Sequence, residues 1–395
     1  MGVGSIALGL FTSVSILSLF HIFTVIPFLL IFWEAIKSDN SFPMSSKFII
    51  ALILWALISN FYNFHILTEP LNSFGKIKYL LFAFLSVFGF QFWLKNVSTQ
   101  SLKNIFKILF FTIVLATFYG YIKHFHNFDL LKWQNVVPDD GRRIGGFTGV
   151  MRYGYGMSLV ITILLGIYFQ FDKFKNYFSK KILVCVILTS LAGLYFSYTR
   201  GALVGFLISL PIILYYYKKN LAIFSLIGIS LILVTIIIIS INGGSKSSRY
   251  LLSLNAGTNT KRLSQYQSAI YAIKDAPLFG LGMKQFSHEV PKIKEKYNLE
   301  HKNYSSHSHN IFLEIGASSG ILGIIFFTLW IISWIRELFI IGGISKIIVI
   351  PFITNFIISG QFEYTLDANN SLLIFSVYAL SLYSYQGQID EYYSA

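Results

Sequence analysis

The chain has 395 residues, 55% of them hydrophobic, 17% aromatic and only 12% charged, with a mean hydropathy of +0.64. A soluble domain carries about twice that charged fraction, so an ordinary globular surface is excluded. The net charge of +14, from 31 Lys and Arg against 17 Asp and Glu, must then fit into a few aqueous loops.

Apolar stretches of about 20 residues recur along the whole length and predict an all-α, polytopic integral membrane protein with 11 or 12 transmembrane helices. The first stretch, 5–33, would be about 43 Å long as one helix against a hydrocarbon core of about 30 Å, so it reads as one tilted span or a short hairpin. It lacks a basic leader and is expected to stay as membrane structure. Further spans are expected near 48–67, 77–94, 105–122, 153–171, 182–198, 202–217, 221–241, 310–334, 338–359 and 371–385. The chain divides into 1–241, with an outer loop at 123–152, a large extracytoplasmic loop at 242–308, and a membrane section at 309–395. No repeat relates its halves. Cys185 is the single cysteine and permits no intrachain disulfide.

Short loops orient the bundle. Lys95, Lys103 and Lys107, then Lys173, Lys175, Lys180 and Lys181, then Lys218 and Lys219, then Arg336 and Lys346 face the cytoplasm by the positive-inside rule. The loops at 123–152 and 242–308 are then extracytoplasmic, and the second holds ten Lys or Arg against four acids. That charge solvates the loop, attracts anionic headgroups, or binds an anionic substrate.

Within the large loop, Leu263, Tyr266, Ile270 and Ile273 predict an amphipathic helix from about Asn259 to Asp275, with Arg262 at the edge of its apolar stripe. Phe286, Val290, Ile293 and Tyr297 predict a second. The two are read as a lid on the outer end of the bundle or as plain interfacial helices. Ser306-His307-Ser308-His309-Asn310 leads into an apolar helix. With Ser306 or Ser308 as cap, His309 falls in the first turn, within about 40° of Gly316, Gly320 and Gly323 and so on the packed face. Glu314 lies roughly 140° away and is expected to bond to a neighbouring helix. Arg200, in Ser-Tyr-Thr-Arg200-Gly201, is placed at the outer turn between two spans, where it snorkels or holds an anion. Arg142, Arg143 and Arg152 crowd the glycine-rich end of the other outer loop. Glu363 and Asp367 are candidate acceptor contacts, with Asp367 or Asn370 as the cap of the final helix.

Nucleotide, zinc and serine-hydrolase motifs are absent, so neither a cofactor nor a nucleic-acid partner is expected. Arginine binds phosphate oxygens bidentately, and a pair can take the role of a divalent metal on a diphosphate. A histidine beside it supplies a base. The chemistry indicated is transfer from a diphosphate leaving group.

His309-Asn310, nine residues, Gly320, two residues and Gly323 resemble the H-[NSQ]-x9-G-x-x-[GTY] pattern of bacterial O-antigen ligases, within the superfamily that includes O-antigen polymerases. The Arg143-Ile-Gly-Gly segment, the Arg200-Gly201 turn, and the stretch from Arg262 and Tyr266 through Ala269 to Pro277-Leu-Phe-Gly280-Leu-Gly282 resemble it too, in the same order. The resemblance implies a metal-independent, inverting glycosyltransferase at the periplasmic face of the bacterial inner membrane. Its donor would be a glycan on undecaprenyl diphosphate and its acceptor the lipid A core oligosaccharide. It assigns His309 as general base and Arg200 and Arg262 to the diphosphate, with Arg143 and Arg142 as further diphosphate ligands. A polymerase would use the same donor. A flippase for lipid-linked glycans would need midplane cations and repeat symmetry instead.

Overall fold

Long apolar runs become helices in the computed structural model, which describes residues 43–70, 73–75, 77, 80, 81, 84, 85, 97–130, 133–135, 143–241, 257–366 and 370–382. The run at 5–33 and most of that at 77–94 lie outside the described residues. In chain order the principal helices are α1 (Met44–Tyr62), α2 (Thr99–His126), α3 (Val150–Phe169), α4 (Lys180–Ser197), α5 (Arg200–Tyr217), α6 (Lys219–Ile241), α7 (Gly257–Asp275), α8 (Phe286–Lys296), α9 (Ile311–Ile341) and α10 (Gly343–Ser359). A further apolar helix, α11, spans Asn370–Leu382. Among the described residues six helices, α1 to α5 and α9, are long and apolar enough to cross a membrane. The protein is an all-α polytopic membrane protein. After α2 a small hairpin pairs Phe128 with Asn135 and Asp129 with Gln134.

Caps fix where the spans begin. Ser98 Oγ accepts from Ser101 N–H ahead of α2, and Ser179 Oγ from Ile182 N–H ahead of α4, each serving an amide that has no partner within its helix. The α4 helix ends at Tyr198 in the left-handed region, φ 50°, and α5 starts two residues later. Arg200 is therefore the first residue of α5, where the sequence had placed it in the turn.

The packing order places the site. Helix α3 is enclosed by α4, α5 and α10, while α9 lies along α1 and α7 docks on α9. Tyr153, Tyr155, Met157 and Ile161 of α3 are fully or almost fully buried. Between α3 and α10 the Asn355 amide donates to Ser158 O at 3.0 Å and reaches Thr162 Oγ1 at 2.8 Å. Polar bonds of this kind hold helices together where lipid supplies no hydrophobic drive.

Helix α9 is broken. Gly320 adopts φ 70°, ψ −170° in the middle of it, and the freed backbone groups find partners outside the helix. Leu281 and Gly282 N–H donate to Ala317 and Ser318 O at 2.8 and 2.9 Å, and Ile321 N–H donates to Pro277 O at 2.8 Å. Trp55 Nε1 of α1 donates to Ser319 O at 2.8 Å, and Asn63, just past the end of α1, donates from Nδ2 to Gly280 O at 3.1 Å. Each such group left unpaired in hydrocarbon would cost several kcal/mol, roughly, so the break persists only because these partners exist. A Cβ on Gly320 would stand 2.0 Å from Leu278 O. The Pro277–Gly282 segment and the Gly320 position thus form one interlocked unit.

Candidate active site

The loop before α9 carries the two histidines. Asn310, neither Ser306 nor Ser308, caps the helix: its Oδ1 accepts from Phe312 and Leu313 N–H at 2.9 and 3.0 Å. His309 consequently precedes α9, with φ 55°, and does not occupy its first turn. It is nevertheless buried, at 8% exposure, through the loop's own contacts and not through a shared helical face with Gly316, Gly320 and Gly323. Glu314 also departs from expectation, because its carboxylate accepts from Ser308 N–H at 2.7 Å and so ties down the histidine loop.

Glu363, in the turn after α10, stands between the rings. His309 Nδ1 lies 3.1 Å from Glu363 Oε2 and His307 Nε2 lies 2.8 Å from Oε1. Burial alone would raise the Glu363 carboxyl, but the two imidazoles outweigh it and hold it down at about 2. Burial likewise opposes charge on His307, and the Glu363 carboxylate overrides that and raises its pKa. His309 Nε2 is buried with no hydrogen-bond partner among the described residues. An imidazole whose Nδ1 faces a carboxylate and whose Nε2 is unoccupied is arranged to accept a proton. His307, His309 and Glu363 are also the described residues whose ligand atoms, within 4.8 Å of one another, form a possible metal set.

The turn after α10 is held from several sides. Tyr266 donates to Gln361 O at 2.9 Å, with His309 O 3.4 Å away. Asn310 Nδ2 donates to Gln361 Oε1 at 3.1 Å, and Ile311 N–H to Gly360 O at 2.7 Å. Burial and the Glu363 charge raise the Tyr266 pKa, against the opposing pull of Arg262. Tyr266 thus joins the arginine helix α7 to the base.

Arg262 lies one turn before Tyr266 on α7. The predicted apolar stripe of this helix does not face inward throughout: Leu263 and Ile270 are exposed, and Ser264, Gln265, Ser268, Ala269 and Ala272 are buried. Small side chains are what let α7 sit close on α8 and α9, through a cluster of Ala269, Ala272, Phe286, Val290, Ile293 and Ala317. Lys294 of α8 is wholly buried, and its ammonium donates to Tyr304 O at 2.8 Å and His301 O at 3.2 Å. Those bonds anchor the segment that runs into the histidines.

Arg200 is half-buried at the N-terminus of α5 and within Coulombic reach of Arg262 and Tyr155. Two like charges within Coulombic reach of each other favour an anion between them, and the dipole of the α5 N-terminus has the same sign. Tyr155 is 1% exposed and feels Glu363, Arg262 and Arg143 together; a Cβ on Gly201 would stand 2.3 Å from its hydroxyl. Arg143 bonds to backbone at the end of α4: Nε donates to Ser197 O at 3.0 Å and Nη2 to Tyr198 O at 3.3 Å. It closes the end of α4 and steadies the turn that presents Arg200. Arg142 and Asp367 lie outside the described residues.

A cavity of about 400 Å³ opens onto His309, His307, Glu363 and Tyr155, with Arg152 and Lys284 in its wall. Arg200 and Arg262 do not line it. Lys284 is paired with Glu69 at 3.2 Å. Sequence reasoning missed the carboxylate clamp of Glu363 and the central position of Tyr155. Glu363 reads in sequence only as a candidate acceptor contact, and Tyr155, in Arg-Tyr-Gly-Tyr, carries no local mark of its burial beside the site.

Fold and site together define a helical membrane protein with a carboxylate-held histidine and with two arginines, Arg200 and Arg262, within Coulombic reach of each other. Residues 185–328 match the family described as O-antigen ligase, a stretch that takes in α5 with Arg200, α7 with Arg262, and His309 just ahead of α9. Over that stretch the chain is similar to membrane ligases and polymerases of the O-antigen type. No curated protein matches the chain.

Proposed function

We propose that the protein is an inverting glycosyltransferase that moves a glycan from undecaprenyl diphosphate to the lipid A core oligosaccharide, at the periplasmic face of the bacterial inner membrane. The acceptor hydroxyl attacks the anomeric carbon and loses its proton to His309 Nε2. The bond from that carbon to the diphosphate breaks, and undecaprenyl diphosphate leaves with its charge met by Arg200 and Arg262. Arg143 shapes the turn bearing Arg200 and, with Arg142, adds positive charge on the diphosphate side. The acceptor enters through the cavity, which reaches His309 without passing the two arginines.

The observation that carries the reading is the buried, unpartnered Nε2 of His309 with Nδ1 set against Glu363, near two arginines. A pathway for lipid-linked glycans would instead call for cations along the bilayer midplane and repeat symmetry. The polymerase reading shares donor and base and differs only in acceptor. A deletion strain separates the two: loss of a ligase leaves polymerised glycan on undecaprenyl diphosphate, and loss of a polymerase leaves single repeats on core.

A further inference from the structure

His309 is held at its ring and at its backbone, and both holds run through His307. Oε1 of Glu363 is taken by His307 Nε2 at 2.8 Å, which leaves Oε2 for His309 Nδ1 at 3.1 Å. Separately, His309 N–H donates to His307 Nδ1 at 3.1 Å. An imidazole nitrogen that accepts an N–H carries no hydrogen, so this arrangement belongs to the pH range above the raised His307 pKa, where the ring is neutral and protonated at Nε2. It therefore donates to Glu363. The carboxylate, fixed at one oxygen, keeps the hydrogen of His309 on Nδ1 and the lone pair on Nε2.

The backbone hold has its own consequence. His309 sits at φ 55°, a left-handed conformation that is unfavourable for a residue with a Cβ unless its surroundings fix it. The bond to His307 Nδ1 is one such fixture, and the two ring centroids lie 4.1 Å apart. His307 is the more open of the pair, its side chain 37% exposed against 10% for His309, so it can be replaced without emptying the core.

We infer that His307 is a positioning residue that selects the His309 tautomer with Nε2 as the free base. The inference rests on the reading of His309 as the base. Three substitutions divide the two holds. His307→Gln keeps an amide N–H within reach of Glu363, His307→Asn keeps an acceptor near His309 N–H but stops short of Glu363, and His307→Ala keeps neither.

Two readouts are taken on purified protein: kcat and KM with an undecaprenyl diphosphate-linked donor, and the ring 15N shifts of histidine-labelled protein, with His309 assigned by difference from His309→Gln. His307→Ala is expected to lower kcat about 10- to 100-fold with KM changed by less than about twofold. In its spectrum His309 shifts toward the Nε2–H tautomer. His307→Gln restores the Nδ1–H tautomer and most of kcat. Wild-type kcat in His307→Ala, a fall in kcat with the His309 ring unchanged, or rescue by Asn in place of Gln would each overturn the assignment. A wild-type protein without transferase activity would defeat the functional reading instead, and the ring shifts would still decide what His307 does.

Discussion

Replacing His309 by alanine leaves Asn310 as the cap of α9 and removes the atom assigned to take the acceptor's proton. Transfer by His309→Ala is expected to fall by roughly 10²- to 10⁴-fold, the usual worth of a general base, with membrane insertion and thermal unfolding close to those of the wild type. Near-normal product from that variant would end the assignment. The arginines separate by what they touch. Arg200→Lys and Arg262→Lys keep charge and lose the planar fork, so both are expected to lose activity strongly. Arg143→Lys loses bonds to Ser197 and Tyr198 carbonyls, and its signature is a lower unfolding temperature. Glu363 gives a pH test. Its carboxyl is held below the ordinary value, at about 2, by His307 and His309. The stability it contributes is present above the unfolded carboxylate pKa of about 4.3 and is lost as pH falls from there toward 2. Glu363→Gln should flatten the dependence of unfolding temperature on pH in that window, and an unchanged curve would count against the clamp.

Among the elements, the break in α9 governs the geometry. Gly320→Ala forces a Cβ into the left-handed region and against Leu278 O, 2.0 Å away; the backbone part alone costs about 1–3 kcal/mol. Lower unfolding temperature together with lost activity is expected, since Pro277–Gly282 would part from α9. Element types were largely legible in the sequence because long apolar runs and amphipathic spacing are local signals: α2, α4, α7 and α8 fall close to their expected positions. What escaped depends on partners distant in sequence. The Gly320 break needs α1 and the Pro277–Gly282 segment to satisfy its backbone, and no window of α9 alone reveals them. The buried side of α7 was misjudged for a similar reason. Period analysis weighs hydrophobicity, whereas close helix packing selects the small residues Ser264, Ser268, Ala269 and Ala272. His309 and the two arginines were legible as motif residues, but the pairing of His309 with Glu363 spans 54 positions and had no local mark.

At the scale of the whole molecule, the charge that opened the account separates into two kinds. Lysines at the ends of the spans rest on aromatic rings, as Lys346 does 4.3 Å from the Phe339 centroid and Lys180 does 4.8 Å from that of Tyr168. Arg200 and Arg262, by contrast, lie close enough to repel each other, an arrangement that an anionic substrate would relieve. The sharpest test is transfer in detergent by purified protein given an undecaprenyl diphosphate-linked glycan, lipid A core acceptor and excess chelator. Product is expected from the wild type and essentially none from His309→Ala. Absence of wild-type product until a divalent metal is restored would contradict it, and would assign His307, His309 and Glu363 to a metal in place of a proton.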